Sequence, residues 1–483
     1  MTIMELVQPK TAKGNDAGDH IEDESYAGHA QHTLSAALQS DGGQLLRVEA
    51  LTEDACALEW SRHHPHWRYT AAFNQWHEFD HQAALWLHDN RLKHMTLARE
   101  LVREIAPEKL HKAASVAGVV SLARSNQGVS MTADQWDADP WLLGTPGSVI
   151  DLRNGEPVSD PMPCYITRQT AVALAPKGTP IPIWFAFLAR ITRHDPELIP
   201  YLQRIAGYAL TGSDREQCLF FPYGPGGNGK GVFMNTVTSI IGDYAHVGSG
   251  DLLLAANGER HPTDMASLRG RRFVTASELR PGARWDEQRL KSLTGGDPVT
   301  ARFMRQDEFT FRPQFTLMVA GNHRPSFSGV DEAIRRRLRL IPFTQVIPDA
   351  DRDLSLPEKL RAEWSGILRW MVEGCIDWQR EGLPTPQSVI EASAAYLEAE
   401  DSLGQWITDR LHQHDPRMMV MTPRKVLFDD WLWWADINGG PKWTAKSFYL
   451  ALEERGYTQT ARRGDRGFKY IALVSPTPHW GSK

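Results

Sequence analysis

The stretch Leu219-Phe220-Phe221-Pro222-Tyr223-Gly224-Pro225-Gly226-Gly227-Asn228-Gly229-Lys230-Gly231 reads as an apolar strand running into a glycine-rich turn, then Gly-Lys opening a helix. That helix has an apolar face at Phe233, Val237, Ile240 and Ile241. The layout is that of a phosphate-binding loop. Glycines let the backbone curl so that successive N–H groups point at an anion, and the helix N-terminus adds a partial positive charge. Gly224, Pro225, Gly226, Gly227, Asn228, Gly229, Lys230, Gly231 and Val232 therefore form the candidate nucleotide site, with Lys230 reaching the β- and γ-phosphates. The usual pattern follows the lysine with a Ser or Thr that holds Mg²⁺. Here that residue is Gly231.

Around this loop lie 483 residues, 41% of them apolar and 23% charged, enough for about three domains with large buried cores. No stretch approaches the ~18 uncharged apolar residues of a membrane span, and the first residues, with Glu5, Lys10 and Lys13, lack a signal-peptide core. Neither secretion nor membrane insertion is expected. The four cysteines (Cys56, Cys164, Cys218 and Cys375) are scattered, which points away from a disulfide framework and toward a reducing cytoplasm. Net charge is −6, yet residues 269–342 hold 15 Lys/Arg against 8 Asp/Glu. A basic segment in an acidic chain is a candidate anion-binding surface, against the plainer reading of a solvated charged face. Residues 1–27 carry two lysines against six acids.

Composition and periodicity divide the chain. Residues 1–58 read as an acidic, disordered tail. Residues 59–205 read as an α+β region, with helical periodicity through Trp76, Leu85, Leu87, Leu92, Leu97, Leu101 and Ile105, short strands at 141–152, and a helical stretch from Ile183 to Leu210. In residues 206–350 continuous apolar strands alternate with helices, as a parallel sheet covered on both faces requires. Residues 351–415 read as helical. Residues 416–483 read as two helices and a β-ribbon, a winged-helix-like module with Arg462, Arg463, Arg466 and Lys469 on a wing that would bind duplex DNA or be a solvated turn.

An ATPase needs an acid at the end of a neighbouring strand to orient the attacking water. The run Phe273-Val274-Thr275-Ala276-Ser277-Glu278 supplies Glu278, with Ser277 beside it. The next strand ends at Ala320-Gly321-Asn322, placing an amide that would read the γ-phosphate or simply end the strand in a turn. Arg335, Arg336 and Arg337 then precede another apolar strand, where an arginine would serve a neighbouring subunit's site or end a solvated basic helix. Between these elements, residues 298–311 read as a β-hairpin whose Arg302 and Arg305, beside Phe303 and Met304, would grip single-stranded DNA. Lys291 precedes it on a helix.

Five runs in this order resemble the phage/plasmid primase–helicase family, with its poxvirus-type replication NTPases, within the superfamily 3 helicases. They are Gly-Pro-Gly-Gly-Asn-Gly-Lys (224–230), Ala-Ser-Glu (276–278), Leu-Lys-Ser-Leu-Thr-Gly-Gly-Asp-Pro-Val-Thr-Ala-Arg (290–302), Gly-Asn-His-Arg-Pro (321–325) and Arg-Arg-Arg-Leu-Arg-Leu-Ile-Pro-Phe (335–343). Weaker resemblance extends over about 65–475. It implies an α/β P-loop NTPase of AAA+ type, hexameric, that uses ATP and Mg²⁺ to move on single-stranded DNA at a replication origin in a bacterial host's cytoplasm, with a separate primase or polymerase as partner. By match, Lys230 binds phosphate, Glu278 activates water, Asn322 senses the γ-phosphate, and Arg336 or Arg337 acts in trans. Lys291, Arg302 and Arg305 contact DNA. With Gly231 in place of Ser/Thr, Mg²⁺ falls to the phosphates, waters and Ser277 or Glu278, with Asn235 a weak substitute. Fewer than about 65 residues precede the similar region, so primer synthesis is not expected of this chain. A second reading is an ATP-binding regulatory or loader protein that assembles on DNA without unwinding it.

One competing motif stands apart. His77-Glu78-Phe79-Asp80-His81 is a formal H-E-x-x-H, and on a helix it would present two histidines and a general base for zinc chemistry, with His63, His64 and His66 nearby. Three fixed positions arise easily in a chain with 18 histidines, and Trp76 with Phe79 points to a packed face instead.

Overall fold

The computed structural model describes residues 52–475 apart from 256–261, 278, 281, 305–306, 328, 419 and 463–464. Contacts divide the chain into two compact units: residues 1–150 with 157–168, and residues 151–156 with 169–483. Among the described residues no helix is long and apolar enough to cross a membrane, and all four cysteines are free thiols.

The first unit begins with α1 (Glu53–His63), so order starts before the boundary expected at residue 58. The reason is local: Thr52 is an N-cap whose hydroxyl accepts from Ala55 N at 3.1 Å, and Glu53 and Asp54 favour the positive end of the helix. A four-stranded sheet follows, in the order β3 (Leu85–His88), β2 (Gln75–Asp80), β1 (Trp67–Thr70), β4 (Ser130–Met131). Strands β1 to β3 pair antiparallel and β4 joins β1 in parallel. Helices α2 (Lys93–Ile105) and α3 (Ala113–Ala123) contribute Leu101, Val102, Val119 and Val120 to a core that also holds Trp60, Trp67 and Trp76. The helical periodicity expected from Trp76 onward is corrected here, because Trp76, Leu85 and Leu87 sit on strands, Leu92 is the helix N-cap, and only Leu97, Leu101 and Ile105 are helical. The β2–β3 turn uses Ala84 at φ 54°, and Asp80 Oδ1 accepts from Gln82 N at 2.8 Å and Ala83 N at 3.0 Å, so an Asx turn closes it without glycine. The strands β5 (Leu142–Thr145) and β6 (Ser148–Asp151) fall where the turn-rich sequence placed them.

In the second unit, α4 (Pro182–Ile191) and α5 (Leu198–Tyr208) precede a five-stranded parallel sheet. Its spatial order is β13 (Leu338–Pro342), β7 (Leu219–Tyr223), β12 (Thr316–Val319), β9 (Phe273–Ala276), β8 (Ala245–Gly248). All positions of these central strands β7, β9 and β12 except Tyr223 are buried apolar residues or buried threonines, which suits a parallel sheet. The boundary expected at 205 is also corrected. Trp184 stacks on Phe233 at 5.8 Å, and the Glu363 carboxylate accepts from Ile183 N at 3.0 Å and Trp184 N at 2.8 Å, tying α4 to the sheet-bearing unit. Glu363 lies on α9 (Leu356–Glu381), which is followed by α10 (Gln387–Glu400) and α11 (Ser402–Arg410).

The C-terminal part contains β14 (Leu411–Gln413), β15 (Met421–Pro423), α12 (Arg424–Asn438), α13 (Ala445–Glu454), β16 (Gln459–Arg462), β17 (Asp465–Lys469) and β18 (Ile471–Leu473). Its core joins Leu403 and Trp406 of α11 to Leu427, Trp431, Phe448, Phe468 and Ile471. Helix α11 therefore packs with this module rather than with the helical segment, because its apolar side meets the tryptophans of α12.

Candidate nucleotide site

Strand β7 ends at Tyr223, and the chain turns through Gly224–Gly229 before α6 (Lys230–Ile241) begins. Two glycines are demanded by geometry. A Cβ on Gly224 would lie 2.0 Å from Phe343 O, and Gly229 caps the helix at φ 85°, a left-handed conformation that costs other residues strain. Asn228 Nδ2 donates to Phe343 O at 2.6 Å, which pins the loop to the end of β13.

Lys230 is 6% exposed and its ammonium is folded into this loop. Nζ donates to Gly224 O at 2.6 Å, Pro225 O at 3.1 Å, Asn228 Oδ1 at 3.0 Å and Asn322 Oδ1 at 3.0 Å. Every acceptor is neutral. Burial pushes the lysine down to about 8. A desolvated cation at a helix N-terminus, with no carboxylate partner among the described residues, is a site poised for an anion.

Asn322 arrives from β12, the strand beside β7: Ala320 N donates to Ala276 O at 2.9 Å, Gly321 N to Pro222 O at 3.2 Å. Beyond β9, Ser277 is exposed. The ends of β7, β9 and β12 thus gather the loop, Ser277 and Asn322 on one edge, where ligands of open parallel sheets bind. The strand that leads to the expected acid is not next to β7, since β12 lies between them. Glu278 itself and Arg305 lie outside the described residues. Gly231 is exposed in the first turn of α6, and a Cβ there would meet nothing within 4 Å. Val232 and Asn235 follow on the same helix, Asn235 exposed.

Two cations at this edge were not singled out from sequence. The Arg324 guanidinium covers the Tyr223 ring at 4.2 Å, and its place in the Gly-Asn-His-Arg-Pro run was the available signal. Arg352 lies against the loop so closely that a Cβ on Gly227 would sit 2.3 Å from Nη2. It arrives on the segment after β13, where Ile347 N donates to Gly227 O at 2.8 Å, a tertiary return without a local pattern.

The three arginines occupy α8 (Glu332–Arg337) and differ sharply. Arg335 pairs with Asp401 at 2.8 Å. Arg337 is buried, with Nε donating to Thr294 Oγ1 at 3.2 Å and Nη1 to Ala333 O at 3.1 Å. Arg336 is exposed, and among the described residues its side chain makes no hydrogen bond or ion pair.

Residues 299–311 form an antiparallel ladder between β10 (Val299–Ala301) and β11 (Phe309–Phe311). Arg302, Phe303 and Met304 are exposed at its tip, and Phe303 stacks on Phe309 at 5.8 Å. Lys291, on α7 (Glu287–Gly295), is ion-paired with Asp331, so its charge is already matched within the chain.

The H-E-x-x-H run does not form the helical zinc arrangement. His77 through Asp80 belong to strand β2 and His81 begins the turn. His77 is buried against Trp136 at 4.5 Å, and burial pushes it down to about 4. Glu78 is held by Lys93 Nζ at 2.5 and 2.7 Å. Among the described residues no group of three or more His, Cys, Asp or Glu is gathered to hold a metal.

Two family descriptions match the chain: "D5 N terminal like" over residues 57–193, and a family of unknown function (DUF5906) over residues 223–337. Two viral proteins named "Putative helicase" are similar. L207/L206 of Acanthamoeba polyphaga mimivirus is 23% identical over 301 residues, covering 58% of this chain and 31% of that protein. The Frog virus 3 (isolate Goorha) protein 022R is 27% identical over 255 residues, covering 48% and 26%. Primase D5 of Fowlpox virus (strain NVSL) is 27% identical over 148 residues, covering 29% and 18%. The chain thus spans a third or less of the length of these curated relatives. Among solved structures, the apo NrS-1 C-terminal region aligns with a TM-score of 0.48 and 11% identity, over 84% of this chain and 96% of that one. The chain is thus similar to D5-type primases and helicases in two places: the D5 N-terminal-like match lies on one side of the glycine loop, and viral proteins named putative helicase and primase D5 align to part of the chain.

Proposed function

We propose that the second unit is an AAA+-type ATPase motor that couples ATP hydrolysis to movement on single-stranded DNA in a viral, phage or plasmid replication system, working as a homo-oligomeric ring, most simply a hexamer. The observation that carries this reading is Lys230: a desolvated ammonium at a helix N-terminus, surrounded by four neutral oxygens, one of them the Asn322 amide. A nucleotide triphosphate would replace those oxygens with phosphate charge and draw Lys230 out of the loop. Backbone N–H groups from Gly226 to Val232 would hold the phosphates. Asn322, one hydrogen bond from Lys230, would then turn to the γ-phosphate or the attacking water. Mg²⁺ would supply charge neutralisation, and Ser277 and Glu278 are the residues that would hold its water shell.

In this reading Glu278 orients the water, and Arg336, the exposed member of its cluster, stabilises transition-state charge in the neighbouring subunit. Arg337 is committed within its own chain. The hairpin tip, with Arg302 and Phe303 and with Arg305 beyond the described residues, would contact single-stranded DNA by phosphate pairing and stacking. A separate primase or polymerase would start synthesis, and origin DNA would engage the C-terminal module.

A second reading has its own observation. Gly231 places no hydroxyl at the metal, which favours an ATP-binding loader that assembles on DNA and turns over slowly. Multiple-turnover, Mg²⁺-dependent ATP hydrolysis with and without single-stranded DNA separates the two: the motor turns over and is stimulated, the loader binds ATP without stimulated turnover.

A further inference from the structure

The arginine helix α8 is six residues long, too short to hold its own direction. Its orientation is set by what grips it. At its start Asp331 is the N-cap, accepting from Ile334 N at 2.9 Å and pairing with Lys291. At its far end Arg337 is fastened to Thr294. Ile334 is buried in the core, and a further polar grip is the Asp401 carboxylate, whose side chain is 9% exposed.

Asp401 joins parts that chain order keeps apart. As the N-cap of α11, its Oδ1 accepts from Gly404 N at 2.9 Å. Oδ2 accepts from Arg335 Nη2 at 2.8 Å, on the arginine helix beside Arg336. Oδ1 accepts from Arg455 Nη2 at 2.5 Å, and Arg455 is the C-cap of α13 in the C-terminal module. A buried carboxylate shared by two guanidiniums is only weakly screened, and removing any member leaves unmatched charge. Helix α10 and the segment before α13 contact the stretch that leads to α8. Tyr396 OH donates to Pro325 O, Phe327 N donates to Glu400 Oε2 at 3.2 Å, and a Cβ on Gly329 would touch Trp443 Cζ2 at 3.4 Å.

We propose that Asp401 is a positioning residue: together with Arg455 it locks the arginine helix to the C-terminal module and so sets the direction in which Arg336 leaves the surface. This rests on the reading of Arg336 as an arginine acting in trans. Displacing the module would then loosen Arg336 without touching the nucleotide loop.

The test uses the full chain carrying Asp401→Asn, which keeps an N-cap acceptor for α11 while removing the charge, and, separately, Arg455→Gln. Hydrogen exchange of the peptide spanning 330–338 should speed at least tenfold in both, with the α6 peptide unchanged. Wild-type rates in that peptide overturn the tie whatever the ATPase result. Asp401→Asn should also lower kcat at least tenfold at unchanged KM for ATP. Adding Lys230→Ala subunits, which carry an intact α8, should restore turnover, whereas adding Arg336→Ala subunits should not. A wild-type kcat in Asp401→Asn, or rescue by Arg336→Ala, overturns the positioning role. If the wild-type chain does not hydrolyse ATP, the motor reading falls and the exchange rates alone decide the tie.

Discussion

Lys230 Nζ and Asn322 Oδ1 are 3.0 Å apart, a hydrogen bond between the first turn after the glycine loop and the tip of the adjacent strand. It joins the residue placed to bind phosphate to the residue placed to sense it. The other three acceptors are also uncharged, so among the described residues the lysine has no negative partner, and its depressed pKa follows from burial.

The depressed pKa has a signed consequence for ligand binding. In the free protein the ammonium is lost as pH rises through about 8. Bound triphosphate favours the charged form and holds the proton, so binding takes up a proton above that pH. Nucleotide affinity should fall by up to ~10-fold per pH unit above about 8 and be flat below it. Titrating a fluorescent ATP analogue from pH 7 to 10 reads this, and Lys230→Met should abolish the slope.

Gly231→Ser is sterically open, because the added Cβ meets nothing within 4 Å. Stability should stay level or rise by ~0.5 kcal/mol, as expected for replacing glycine in a helical position. If the missing hydroxyl limits metal binding, the Mg²⁺ concentration for half-maximal turnover should fall severalfold. An unchanged Mg²⁺ requirement would show that other groups already complete the metal's shell.

Arg336 and Arg337 should separate cleanly. Arg336→Ala should reduce turnover by on the order of 10³-fold while leaving the melting temperature unchanged, as for an arginine acting in trans. Arg337→Ala should instead cost ~1–3 kcal/mol of stability, because it removes a buried side chain and its hydrogen bonds to Thr294 and Ala333 O. Thermal melts beside ATPase assays check both.

At the hairpin tip, Phe303→Ala should weaken single-stranded DNA binding by ~1–3 kcal/mol, since Phe309 already holds the ring as a stacking platform. Arg302→Ala should lower the salt slope of binding by about one. Fluorescence anisotropy with labelled oligonucleotides over a salt series gives both values.

The parallel sheet and its loop were legible because buried strands such as Phe273–Ala276 and Thr316–Val319 are continuous apolar runs and the glycine turn is local. The first unit was harder. Trp76, Leu85 and Leu87 mimic a helical period only because two strands and a helix follow one another without glycine, the turn being made by Asp80 and Ala84. Domain edges were misjudged where long-range contacts decide them, as at Trp184 on Phe233 and Trp406 among the C-terminal tryptophans. The difference between Arg336 and Arg337 needs Thr294, about forty residues upstream, to come into contact.

The central claim is that the Lys230 loop is the ATP site of a DNA-stimulated motor. Steady-state ATP hydrolysis by the full chain in Mg²⁺, with and without single-stranded DNA, tests it most directly beside Lys230→Ala. Multiple turnovers, stimulation by DNA and loss of both in the variant are the predicted result. Equal hydrolysis by wild type and Lys230→Ala, or none by the wild type in the presence of DNA, would contradict it.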